Sequence, residues 1–181
     1  MNGSVVIVDY DPRWPGLYEE ESARVREAAA GIILAFEHIG STAVPGLAAK
    51  PIVDIMAGVA DAAAAETCLA PLADVGYTDV TPQPPEEKEW YYCLGKHPAE
   101  GRGYHVHLMQ YPSACWDRHI LFRDYLRGRA DVARAYGRLK RELAARFRDD
   151  RPGYTKAKDE FIEKTLAQAR REKKNEEGGP C

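Results

Sequence analysis

Cysteine is scarce in this chain, and the four present, Cys68, Cys93, Cys115 and Cys181, form no CxxC pair. Such wide spacing excludes a zinc knuckle and a dense disulfide framework. Taken singly, Cys93 and Cys115 read as buried, inert thiols ahead of nucleophiles. Long apolar runs are missing as well. No stretch approaches the roughly 20 residues that cross a bilayer. The opening MNGSVVIVDYDP lacks the basic region and uncharged apolar core of a secretory signal. A cytoplasmic protein with no membrane partner is expected. There is no internal repeat, and a phosphate loop of the Walker type fails on spacing. Five residues separate Gly40 from Gly46, Leu47 stands where the lysine is needed, and Lys50 precedes Pro51 rather than Ser or Thr.

What remains is a chain of 181 residues, 45% hydrophobic, with a formal net charge of −3. That length suits one compact α/β domain with a real core. The reading is a single domain over residues 1–170, a mixed sheet flanked by helices with a helical C-terminal third, and a disordered tail over 171–181. SVVIV (Ser4 to Val8) reads as a first strand. Asp11-Pro12 then opens a helix from about Trp14 to Ala30. Ile32 to Phe36 reads as a buried strand ending in the turn Gly40-Ser41-Thr42, and Pro51 to Val59 as a second. The alanine-rich segment from Asp61 to Leu72 is expected to be helical.

After a break at Gly76-Tyr77, Pro82, Pro84 and Pro85 indicate a loop bending over the site. Trp90 to Leu94 and Tyr104 to Gln110 follow as a hairpin at a sheet edge, joined by a polar loop with Lys96, His97 and Arg102. Val132, Tyr136, Leu139, Leu143 and Phe147 recur at helical spacing and mark a core-facing stripe. Pro152-Gly153 interrupts, and a last helix runs from about Tyr154 to Arg170.

Residues 37–54, EHIGSTAVPGLAAKPIVD, carry most of the chemical information. Gly40 lets the backbone approach an anion, and Ser41 and Thr42 add hydroxyl donors beside exposed N–H groups. A strand-to-helix connection with a Ser or Thr cap has the same local signature. Lys50 suits either a phosphate or carboxylate group of a substrate, or an ion pair with Glu37 or Asp54. Glu37 and His38, beside the turn, are further candidates, with His38 suited equally to bracing the turn.

His105 and His107 stand two apart on a strand, so both imidazoles face one side. There they can ligate a metal, bind phosphate or act as acid and base. Ten Arg or Lys residues stand against three acids between Arg118 and Arg148. Solvated amphipathic helices account for most of these, and Arg123 is the one singled out as an anion clamp.

HIGSTAVPGLAAKPIVDI (His38 to Ile55), YHVHL (Tyr104 to Leu108), FRDYLR (Phe122 to Arg127) and YTKAKDEFI (Tyr154 to Ile162) resemble the GrpB family, placed within the nucleotidyltransferase superfamily. The resemblance spans roughly Val5 to Gln168. It implies that the Gly40-Ser41-Thr42 turn holds the phosphates of a nucleoside triphosphate, ATP foremost. It also implies that Asp54 holds a divalent metal, and that Tyr154 and Lys158, one helical turn apart, touch the nucleotide. The usual motif has two acids at alternate positions of one strand, yet the positions flanking Asp54 are Ile52 and Met56.

If His105 and His107 make up for the missing acid, Zn²⁺ or Mn²⁺ becomes a better fit than Mg²⁺. The expected activity is metal-assisted nucleotidyl transfer to a small acceptor, or ATP-dependent ligation through an adenylate. The rival is a non-catalytic anion-binding module resembling domains appended to dephospho-CoA kinase. A nucleic-acid partner rests on the arginine-rich segment alone and ranks last.

Overall fold

The computed structural model describes residues 4–82, 91–98 and 103–177. Its centre is a five-stranded mixed sheet in the order β1-β2-β5-β4-β3. The strands are β1 (Ala35–Ile39), β2 (Ile52–Val59), β3 (Asp79–Pro82), β4 (Tyr92–Lys96) and β5 (Gly103–Gln110). β2 and β5 run parallel at the centre, and every other pairing is antiparallel. The helices are α1 (Trp14–Ala28), α2 (Ala62–Asp74), α3 (Ala114–Gly128), α4 (Ala130–Arg146), α5 (Arg151–Lys156) and α6 (Asp159–Glu177).

Alternation along β2 and β5 divides the sheet chemically. Val53, Ile55, Ala57 and Val59 join Tyr104, Val106 and Leu108 in the main core, which also takes in Trp14 and Val25 of α1 and Ala65, Cys68 and Leu72 of α2. Each fully buried Ile, Val or Leu here contributes on the order of 1.5–3 kcal/mol. The intervening residues of β2, β4 and β5, namely Asp54, Cys93, His105 and His107, point to the opposite face. On that face Ile39, Met56 and Met109 pack against Trp116 of α3. The fold therefore gives one sheet face to the apolar core and leaves part of the other for polar chemistry.

Helix starts follow local hydrogen bonding. Asp61 accepts from Ala64 N at 2.8 Å to cap α2, Ser113 from Trp116 N at 3.1 Å to cap α3, and Asp150 from Gly153 N at 2.9 Å to cap α5. Caps of this kind contribute about 1 kcal/mol each. A carboxylate also sits in the interior. Glu21 is fully buried and accepts from Lys96 Nζ at 2.7 Å, from Arg24 at 2.9 Å and from the Tyr77 hydroxyl at 3.2 Å. A charge buried this deeply is tolerated because it is paired and hydrogen-bonded.

Several elements differ from the sequence reading. Ser4 to Val8 forms no strand, and Val8 makes a single antiparallel bridge to Ala49. β1 begins three residues later than expected. Ile33 is buried in the main core ahead of the strand and Leu34 is 58% exposed, while His38 and Ile39 are buried at its end, so the apolar run marks core packing and not the strand itself. Pro82 ends a strand, β3, which takes the sheet edge in place of the β4–β5 hairpin.

Pro152 and Gly153 lie within α5, where a proline in the first turn gives up no intrahelical N–H bond. The last helical segment is split after Lys156, and α6 continues through the expected tail as far as Glu177. The expectations for Pro84, Pro85, Trp90, Arg102 and Cys181 fall outside the described residues. No helix among the described residues is long and apolar enough to cross a membrane.

Candidate functional site

The turn after β1 shapes the site. Gly40 has φ +69°, and a Cβ built on it would lie 2.4 Å from Asp54 Oδ2. Glycine thus permits both the backbone angle and the contact with the carboxylate. Ser41 then opens a short 3₁₀ turn, Ser41–Ala43. Behind it is a cavity of about 240 Å³ lined by Gly40, Ser41, Lys50, Asp54, His105, Tyr136, Lys140, Tyr154, Thr155 and Lys158, with Ala49 and Ile52. Most of the residues singled out in the sequence therefore meet in one place.

At the sheet wall, Asp54 Oδ1 lies 3.2 Å from His105 Nδ1 and 3.3 Å from His107 Nε2. Burial works against the Asp54 charge, but the hydrogen bonds from the two histidines outweigh it and hold the carboxyl well below the usual range. Burial likewise opposes the His107 cation. Hydrogen bonds to Asp54 and Cys93 prevail and push its pKa up to about 10. Cys93 stands opposite His107 in the β4–β5 register. His119 of α3 is pushed down to about 4, first by burial and then by His107.

The opposite wall is cationic. Lys140 of α4 is buried and donates to Ser41 Oγ at 2.6 Å and to the Ala48 carbonyl. Burial, then repulsion from Lys158 and Lys50, pushes its pKa down to about 7. Lys158 is pushed down to about 8 by burial and then by Lys50, and Lys50 is lowered by burial and then by Arg151. Lys50 and Lys158 lie 5.8 and 4.7 Å from the Tyr154 ring centroid, and Lys140 lies 4.7 Å from that of Tyr136. Among the described residues none of the three lysines forms an ion pair. The pairing of Lys50 with Glu37 or Asp54 that the sequence left open is not made.

Two candidates face elsewhere. Thr42 is buried, and its hydroxyl meets His38 Nε2 at 3.0 Å. His38 stacks on Tyr18 with centroids 4.7 Å apart and is pushed down to about 4, chiefly by burial, so it braces the turn as a neutral ring. Arg123 binds Glu37 at 2.5 Å, Asp124 at 2.7 Å and the His38 carbonyl at 3.0 Å. It lines a second cavity of about 380 Å³ with Tyr10, Tyr18, Glu19, Glu37 and Arg127. Neither residue reaches the lysine cavity.

Lys140 and Cys93 are the participants that sequence reasoning missed. Lys140 lies four residues after Tyr136 and three before Leu143, on the apolar stripe of α4, and a lysine there is a signal of burial. Cys93 gives no local signal, because only strand register brings it to His107.

An α+β protein with a five-stranded mixed sheet and a cationic cavity beside a carboxylate–imidazole group is thereby defined. The chain belongs to the GrpB family, whose model, described as GrpB protein, matches residues 4–168. The crystal structure of conserved protein GrpB from Enterococcus faecalis superposes with a TM-score of 0.78 at 33% identity, covering 91% of this chain and 96% of that one. A UPF0157 protein from Pseudomonas aeruginosa is 40% identical over 166 residues, which are 91% of this chain and 67% of that protein. A protein named dephospho-CoA kinase from Mycolicibacterium paratuberculosis is 28% identical over 179 residues, covering 87% of this chain but only 44% of its own length.

Proposed function

We propose that the lysine cavity binds the phosphates of a nucleoside triphosphate, ATP foremost, and that the protein uses it to nucleotidylate or activate a small acceptor. One observation carries this reading. Lys50, Lys140 and Lys158 converge on a single cavity whose lining holds one carboxylate, and that carboxylate is already engaged by two histidines. Three partly desolvated ammonium groups, with Lys158 and Lys50 depressing the pKa of Lys140 and Lys50 that of Lys158, are relieved by an anion. At about 240 Å³ the cavity is below the usual range of roughly 300–1,000 Å³ for a whole ligand. It suits a phosphate chain, with ribose and base in the opening.

Ser41 lines this cavity and Thr42 does not, so the serine is the proposed hydroxyl contact. Tyr154 and Lys158 line the same cavity and are the further proposed nucleotide contacts. Asp54, His105 and His107 form the reactive corner, holding a metal that neutralises phosphate charge or moving the acceptor's proton. The two-carboxylate Mg²⁺ site implied by the wider superfamily does not fit, because Ile52 and Met56 flank Asp54 on its strand.

Calorimetry with ATP, CTP and GTP, with and without Mg²⁺, Mn²⁺ and Zn²⁺, tests the reading, with Asp54→Ala and His107→Ala as controls. Saturable, metal-dependent nucleotide binding that both variants weaken is expected. A wild type that binds no nucleotide, or variants that bind like the wild type, would reject it. The second reading, a non-catalytic anion-binding module, is favoured by the missing second acid and by the partial match to a dephospho-CoA kinase. It predicts phosphate binding with no turnover of any nucleotide. The nucleic-acid reading loses ground because Arg118, Arg123, Arg127, Arg129 and Arg141 are all taken up by acidic partners.

A further inference from the structure

The donor set at the sheet wall differs in kind from a magnesium site. Parallel pairing sets Asp54 opposite His105, and antiparallel pairing sets Cys93 opposite His107, so all four side chains leave one face of β2, β5 and β4. The ligand atoms of Cys93, His105 and His107 lie within 4.8 Å of one another. Asp54 Oδ1 stands 3.2 and 3.3 Å from the nearer imidazole nitrogens. Metal bonds of about 2.0–2.1 Å at the tetrahedral angle place nitrogen and oxygen ligands about 3.3–3.4 Å apart. The carboxylate and the two imidazoles therefore already occupy two edges of such a tetrahedron. Thiolate and imidazole ligands select borderline or soft ions, whereas Mg²⁺ needs hard oxygens.

We propose that Cys93, His105, His107 and Asp54 bind one divalent ion of the zinc class, set into the wall of the lysine cavity. Asp54 and His105 line that cavity, so the ion adjoins whatever anion the lysines hold. Ion binding displaces the protons that now link Asp54 to the imidazoles and takes Cys93 as thiolate. For its place in a reaction the inference rests on the proposed function. The metal itself is read without nucleotide, so the two can fail separately.

The test is a Co²⁺ titration of the full, tag-free chain, stripped with chelator and kept reduced. The expected result is one equivalent bound, with tetrahedral visible bands and an intense near-ultraviolet thiolate-to-cobalt band. Zn²⁺ displaces the Co²⁺, and a hundredfold excess of Mg²⁺ does not. Cys93→Ser removes the thiolate band and weakens Co²⁺ binding at least tenfold, while Cys115→Ser keeps both. Loss of the band in Cys115→Ser, its persistence in Cys93→Ser, or weak octahedral bands alone in the wild type overturns the assignment. Thermal unfolding of the wild type supplies a check that needs no variant: one equivalent of Zn²⁺ raises the midpoint, and an unchanged midpoint counts against the site.

Discussion

Two cavities lie on either side of the turn that follows β1, and both are lined by cations, yet they solve the charge problem in opposite ways. In the larger, Arg123 is held by Glu37 and Asp124, and Arg127 by Asp124 and the Ala43 carbonyl. The charge there is matched inside the protein, and the guanidinium groups tie α3 to β1 and its turn. In the smaller, Lys50, Lys140 and Lys158 make no ion pair among the described residues and lie over aromatic rings. A positive charge already satisfied by its own fold is architecture, while one left over in a concave site is an invitation to an anion. Sequence alone gives both sets the same sign and hides this distinction.

The largest expected effect comes from breaking the wall between the cavities. Gly40→Ala forces an L-residue to a positive φ and drives its Cβ into Asp54. A loss of about 3 kcal/mol in denaturant unfolding is expected. Next, Lys140→Met weakens binding of inorganic triphosphate about a hundredfold by calorimetry, because charge-assisted hydrogen bonds contribute roughly 1.5–3 kcal/mol. Arg123→Met sharpens the contrast. It costs about 2 kcal/mol of stability, since Glu37 is only half-buried, and leaves the triphosphate affinity within about twofold. A large loss of binding in that variant would erase the distinction between the cavities.

The smallest effect is a pH dependence. Lys140 and Lys158 titrate at about 7 and about 8 when no anion is bound. An anion prefers them protonated, so triphosphate affinity falls at least about tenfold between about pH 6.5 and 9. For the unliganded fold the sign is opposite. Both lysines are depressed from an ordinary value of 10.5, so the unfolded chain holds more protons across the range above about pH 7. Their contribution to stability therefore rises with pH from about 7 towards 10. Buffers of differing ionisation heat will show proton uptake on triphosphate binding at about pH 8, and a smaller uptake in Lys140→Met, where Lys158 still titrates near that pH.

Strong periodicity made much of the fold legible. β2, α2 and the stripe of α4 stand close to where the sequence puts them. The departures arise where tertiary partners decide: Val8 finds Ala49 instead of a sheet, β1 is drawn towards His38 and Ile39, and β3 forms at an edge despite Pro82. At the site, Gly40, Ser41, Lys50 and Asp54 line one cavity because they follow turn and strand geometry that a short motif encodes, and His105, Tyr154 and Lys158 join them from β5, α5 and the α5–α6 break. Thr42 was misplaced because the sequence does not show which side of a 3₁₀ turn a hydroxyl takes. Arg123 was misplaced because its acidic partner Glu37 is 86 residues away. Lys140 escaped notice within a run of surface-like basic residues.

The break between α5 and α6 places Tyr154 and Thr155 on one side of a bend and Lys158 within it. Beyond it α6 runs for 19 residues, roughly 28 Å at 1.5 Å per residue, and is fastened to α3 through Arg118–Glu163 and Tyr125–Glu172, and to Arg129 through Glu172. The cavity wall at Lys158 therefore belongs to the same packed unit as α3, and substitutions that loosen that seam reach the lysines from a distance.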